Sequence, residues 1–276
     1  MASATWQAVQ TQWPGLTLEV LAQVDSTNSE LMRRAHTGRY EPVLLVAQHQ
    51  SAGRGRLGRQ WHSGAPAATP AQCSALTFSL GLPLAPRQWL GLSLALGVAL
   101  AQALQRTLPV QVGLKWPNDL WWQGRKLGGI LIETATMRTA AETATPQQAA
   151  LARYAVIGVG INLATPTVAP TAAGVPAAGM CEQVPTLDAP TLLALLTLPL
   201  VLAVQRFAQQ GFAPFRTDYL AHDVLHGQRI TTSDGRTGHA LGVDDSGALL
   251  LQDGDGHMHC IASAEVSVRP QPQEAL

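Results

Sequence analysis

Three stretches of this 276-residue chain combine residue types that handle anions. The densest is Gln50-Ser51-Ala52-Gly53-Arg54-Gly55-Arg56-Leu57-Gly58-Arg59. Its glycines let the main chain approach a ligand closely, and its arginines supply forked donors for phosphate or carboxylate oxygens. Only 13% of the residues are charged, so three arginines in six positions repel one another without an anion among them. Glycines 53, 55 and 58 also spell a dinucleotide signature after a strand-like run. Two features count against that reading. Residues 62–72 hold two prolines and no helical pattern, and no acidic residue lies between Arg59 and Asn118 to bind a ribose. An anion-binding loop remains.

The second stretch is Lys115-Trp116-Pro117-Asn118-Asp119, a strand end and turn. It is followed by Lys126 in Arg125-Lys126-Leu127-Gly128-Gly129-Ile130. A lysine entering an apolar strand is costly to bury without a partner, which a ligand carboxylate or phosphate would supply. The third is Val156-Ile157-Gly158-Val159-Gly160-Ile161-Asn162-Leu163, where glycines inside a strand mark either a bend or close approach by a ligand.

The elements that position these stretches follow from pattern. Ser26 to Glu30 opens a helix, with capping-box spacing between Thr27 and Glu30. Val43 to Ala47 and Leu76 to Leu80 read as strands, and Trp89 to Leu104 as a core helix. Val110 to Trp116 is a further strand. Leu120 to Trp122 and Leu127 to Glu133 flank Gln123-Gly124 as a hairpin, and Tyr154 to Leu163 is another strand. Residues 136–150 and 164–179 read as loops. Ala189 to Val204 is uncharged, but Pro199 interrupts it and it is shorter than the ~18–20 residues of a membrane span, so it reads as a buried helix. Beyond about His226 the texture changes to closely spaced short strands, with turn signals at Asp234-Gly235, Ser246-Gly247 and 254–256. The division is 1–225 and a small all-β module, 226–276.

Eighteen basic and eighteen acidic residues cancel, which argues against bulk affinity for nucleic acid. Three scattered cysteines form neither a disulfide framework nor a zinc site. With no signal peptide or membrane span legible, the expectation is a soluble cytoplasmic protein. The histidine pairs His222/His226 and His257/His259 read as ordinary surface or turn residues.

Taken in order, Ser26-Thr27-Asn28, Gln50 with Gly53 to Arg56, Lys115 to Asp119 with Lys126 to Leu131, and Gly158 to Asn162 resemble the motifs of the biotin protein ligase family. The resemblance spans nearly the whole chain. It implies an α+β fold, with a mixed β-sheet backed by helices (the class II synthetase-like catalytic domain) and a small C-terminal SH3-like β-barrel. It implies ATP-dependent activation of biotin as biotinyl-AMP and transfer to a lysine of the biotin carboxyl carrier protein of acetyl-CoA carboxylase. Ser26, Thr27, Asn28, Gln50, Arg54, Gly55, Arg56, Lys126, Gly158 and Gly160 would contact biotin. Arg59, Trp61, Asn118 and Asn162 would serve the nucleotide. Lys126, Arg56 and Asp119 are the catalytic candidates. Mg2+ would accompany ATP, with no protein residue named as its ligand and no tightly bound prosthetic group. Leu57 departs from the pattern, because many members carry a third closely spaced arginine there. Only 25 residues precede Ser26, against ~50 or more for a domain, so the expectation is the monofunctional form, binding no DNA and no membrane. Short exposed strands leave a homodimer open. Two other readings stand beside this one, a lipoate or other acyl-adenylate ligase of related fold and a non-enzymatic RNA-binding protein.

Overall fold

The computed structural model describes residues 3–64, 69, 72–137, 152–166, 176–262 and 268–270. Most of the two loops read at 136–150 and 164–179, and part of 62–72, lie outside these residues.

A seven-stranded sheet forms the larger part. Its strands are β1 (Thr17–Val24), β2 (Val43–Gln50), β5 (Ala75–Leu84), β9 (Arg153–Asn162), β8 (Arg125–Thr136), β7 (Asp119–Trp122) and β6 (Gly113–Lys115), in that spatial order. β1 and β2 are parallel and the other neighbours antiparallel, so the sheet is mixed. Side-chain alternation divides its two faces. On one, Leu44, Phe78 and Ile157 join the main core under α3 (Leu92–Thr107) and α4 (Ala189–Gln210). On the other, Val43, Leu45, Ala135, Tyr154 and Val156 pack against Leu31 and Ala35 of α2 (Thr27–His36). Further along this second face β9 continues as Gly158, Gly160 and Asn162, where glycine leaves room above the sheet.

Several boundaries differ from the sequence reading. The N-cap of α2 is Ser26, whose Oγ accepts the amide of Ser29 at 3.4 Å; the expected box at Thr27 does not form, since the Thr27 amide and hydroxyl go to Gln50 and Glu30 pairs with Arg33 and Arg34. The strand read over Val110 to Trp116 pairs only from Gly113 to Lys115, since Val110 is held in a turn to Leu108. β1 and α1 (Ser3–Gln12) went unread. α4 has 22 residues and is apolar enough to cross a membrane, yet Leu192, Leu196, Leu200 and Val204 are fully buried in the core.

The chain then passes through α5 (Arg216–His222) into a five-stranded antiparallel sheet. Its strands are β10 (Arg229–Thr232), β11 (Thr237–Val243), β12 (Leu249–Gln252), β13 (Met258–Ile261) and β14 (Val268–Pro270), ordered 13-12-11-10-14. The link docks on the large sheet, with Val224 donating its amide to Leu114 of β6 at 3.0 Å. Farther on, Gly247 meets Gly91 so closely that a Cβ on Gly247 would lie 2.7 Å from the Gly91 Cα.

Candidate active site

Every residue that the resemblance assigns to biotin, nucleotide or catalysis lines one cavity of about 410 Å3 on the α2 face of the large sheet. This is within the usual ~300–1,000 Å3 of a small-molecule site.

One end is neutral and already hydrogen-bonded. The amide and hydroxyl of Thr27 donate to Gln50 Oε1 at 2.7 and 3.1 Å, which satisfies one of the orphan N–H groups that open α2. Ser79 Oγ lies 2.7 Å from Thr27 Oγ1 and 2.6 Å from Asn28 Oδ1. Asn28 Nδ2 donates to Glu133 at 2.9 Å and to the Leu131 carbonyl at 3.3 Å. Ser26, Thr27, Asn28, Gln50 and Ser79 are all buried, so these partners are obligatory. Gly158 is required here, because a Cβ would sit 2.1 Å from Asn28 Oδ1.

Over the middle lies the Gly/Arg stretch. Gly53–Arg54 (β3) pairs with Gln60–Trp61 (β4), and the turn between them places Leu57 at φ 57° and Gly58 at φ 70°. Leu57 is half exposed, in a conformation that suits glycine better. Trp61 lies against Gly160, where a Cβ would be 2.6 Å from the indole, and its Nε1 is buried with no hydrogen-bond partner among the described residues. Arg54 forks onto Glu133, and Arg56 donates to Asn118 Oδ1 at 3.2 Å.

The other end is charged. Lys126 Nζ donates to Asp119 Oδ1 at 2.6 Å, both side chains being partly buried. A register shift between β7 and β8 beside Leu120 re-aims this pair. The backbone of Lys126 is gripped on both sides, its amide by Pro176 and its carbonyl by Ala178. Asn118 bonds Ile130 through both side chain and main chain, and Asn162 Nδ2 donates to the Ala178 carbonyl at 3.0 Å. Burial lowers the Arg56 pKa, with Asp119 opposing and Arg59 adding to the shift. Lys115 is buried beneath, its Nζ 4.9 Å from the Trp121 ring centre. Such cations in a partly desolvated wall attract an anion more strongly than they would in water.

Sequence reasoning missed Ser79 and Glu133 and gave Lys115 no role. Their only sequence signal is a polar residue interrupting an apolar strand. Val268 also lines the cavity, so the C-terminal sheet contributes to its wall. The described lining holds a single carboxylate, Asp119, already bonded to Lys126, which is not a dedicated magnesium cage.

Comparison with known proteins bears on this arrangement. Residues 20–145 match the biotin/lipoate A/B protein ligase family, and residues 226–269 match the biotin protein ligase C-terminal domain. The chain is 34% identical over 262 residues to the bifunctional ligase/repressor BirA of Escherichia coli, covering 94% of this chain and 76% of that one. It is 33% identical over 261 residues to the biotin–(acetyl-CoA-carboxylase) ligase of Paracoccus denitrificans, covering 90% and 98%. The structure of the Aquifex aeolicus biotin protein ligase in complex with biotin and ATP superposes with a TM-score of 0.70 at 25% identity, covering 94% of this chain and 100% of that one. The family match over residues 20–145, the C-terminal match and identity above 30% over nine-tenths of the chain place it in the biotin/lipoate A/B protein ligase family, with the C-terminal domain of its biotin protein ligases.

Proposed function

We propose that this protein is a biotin–(acetyl-CoA-carboxylase) ligase. The observation that carries the reading is the single cavity joining a neutral hydrogen-bonding end to a cationic end beneath a Gly/Arg hairpin. In the first step a biotin carboxylate oxygen attacks the α-phosphorus of ATP and pyrophosphate leaves. In the second the amine of a carrier lysine attacks the carbonyl of the mixed anhydride, AMP leaves and the amine loses a proton.

Ser26, Thr27, Asn28 and Gln50 would hold the neutral ring of biotin, with Gly158 and Gly160 giving it room. Lys126 and Arg56 would offset the repulsion between carboxylate and α-phosphate, the kind of pre-oriented electrostatic stabilisation that dominates such catalysis. Arg54 and Gly55 would close over biotin. Arg59, Trp61, Asn118 and Asn162 would face the nucleotide. Asp119 orients Lys126 and is the proposed group to receive the incoming lysine. Mg2+ would enter on the triphosphate. Residues 1–225 would form the catalytic domain, and 226–276 a module that completes the cavity wall through Val268. The ligase would act in the cytoplasm on a biotin carboxyl carrier domain, and the balanced charge supports a protein that does not act on DNA.

The match of residues 226–269 to a biotin protein ligase domain favours biotin over lipoate. Pyrophosphate release from ATP should require biotin and not be supported by lipoate, and a biotin carboxyl carrier domain should then become labelled. ATP turnover indifferent to biotin would overturn the reading.

A further inference from the structure

Glu133 ends the apolar half of β8, on the same face of the sheet as Gly129 and Leu131. Its carboxylate reaches two parts of the site that are 26 residues apart in sequence. Asn28, on the floor, donates to Oε2 at 2.9 Å. Arg54, on the hairpin, donates through both terminal nitrogens, to Oε2 at 3.1 Å and Oε1 at 2.9 Å. The Arg54 guanidinium also lies 3.4 Å from Ser29 Oγ in the first turn of α2. A bidentate fork fixes direction as well as distance.

The hairpin is short, and its base is tied to the chain at Val24 and Asp25 by the amides of Ser51 and Ala52. Its strands are two residues each, far short of what a ribbon needs to be stable alone. Its other ties to the body include Arg56 on Asn118 and the indole of Trp61 over Gly160. A pair of modest strength therefore weighs heavily in the balance between closed and open hairpin.

We propose that Glu133 is a positioning residue for the ligase reaction, latching the Gly/Arg hairpin to the Asn28 floor so that a bound adenylate is sealed in. The role in catalysis rests on the function proposed above, whereas the latch itself is a set of contacts within the chain. An occupant bonded to Asn28 acts on the hairpin through this shared carboxylate.

The test uses the full chain as wild type, Glu133→Gln, Arg54→Ala and the double variant. Glu133→Gln keeps an acceptor for Asn28 and removes the charge that Arg54 grips. Hydrogen exchange is followed without ligand, and release of biotinyl-AMP is followed after its synthesis on the protein. Each single variant should speed exchange of residues 53–61 and adenylate release by about fivefold, the scale of a partly exposed bidentate pair. The double variant should do no more than either single one. Wild-type hairpin exchange in Glu133→Gln would overturn the latch. So would effects that multiply in the double variant, or faster exchange spread over β8 and β9, which marks general loosening. Should the wild type make no biotinyl-AMP, the ligase reading falls, and the latch is judged on hairpin exchange alone.

Discussion

The two ends of the cavity solve the burial of polar groups in opposite ways. At the neutral end, Thr27, Asn28, Gln50 and Ser79 hydrogen-bond to one another within the chain. At the charged end, Lys126, Asp119 and Arg56 lie together with one close ion pair, and burial penalises the Arg56 cation. On the proposed function, the first arrangement would select the shape of its ligand and the second would act on its charge. Removing a group should therefore change affinity at one end and rate at the other.

The largest expected effect is at the charged end. Lys126→Ala should slow adenylate formation ~10²–10³-fold, while biotin affinity changes far less. Lys126→Arg should rescue poorly, because a planar guanidinium does not replace a compact ammonium. Single-turnover adenylation beside equilibrium biotin binding checks both. Adenylation near the wild-type rate in Lys126→Ala would erase the contrast between the ends.

Asp223, in the link to the C-terminal sheet, asks what a buried charge costs without a close ion pair among the described residues. Its Oδ1 accepts the Leu225 amide at 2.9 Å, and its Oδ2 has no hydrogen-bond partner among the described residues. Burial pushes the carboxyl up to about 6, with the Leu225 amide and His226 pulling the other way. An acid whose pKa is higher folded than unfolded costs stability as pH rises from 3.8 to about 6, and that cost persists above this window. Asp223→Asn should therefore stabilise the fold by up to ~3 kcal/mol near neutral pH and by nothing below about pH 3.5. Denaturation across pH reads the difference, and a gain that is the same at all pH values would exclude the buried charge as its source.

At the neutral end, Asn28→Ala takes one partner from Ser79, which keeps Thr27, and one donor from Glu133, which keeps Arg54, and leaves a ligand there without the Asn28 amide. It should weaken biotin binding by about 10–100-fold, the cost of unsatisfied buried groups. The bound biotin should still react at close to the normal rate, which single-turnover adenylation at saturating biotin measures. The smallest effect is at Trp116, whose Nε1 donates to the Gly247 carbonyl of the C-terminal sheet at 3.2 Å. Trp116→Phe should cost ~1 kcal/mol of stability and raise the KM for ATP about two- to threefold, leaving biotin affinity alone. An equal loss in both substrates would mean that the C-terminal sheet supports the whole cavity and not its charged end.

Much of this site was legible because its groups are concentrated in short segments. A Gly/Arg run and a lysine set into an apolar strand are locally unusual whatever the fold. The hairpin at Gln123-Gly124 and the Asp234-Gly235 turn were also local, since their positive-φ residues announce them. The misreadings arise where a partner distant in sequence decides. Thr17–Val24 carries no clean alternation, being an edge strand with largely exposed side chains, and only its parallel partner β2 makes it a strand. The cap of α2 is Ser26 and not Thr27, whose amide and hydroxyl are taken by Gln50, 23 residues away.

By itself, then, the sequence marked the glycine- and charge-rich segments whose residues line the cavity, and the change to short, closely spaced strands in its last part, because glycine, proline and clustered charge act within a few residues. The tertiary structure decided which side chains meet. Ser79, Glu133 and Val268 enter the site only through strand register and sheet packing, which place residues 26–28, 54, 79 and 133 on one face. Each is an ordinary residue in its own segment, and its role comes from a neighbour dozens to hundreds of positions away.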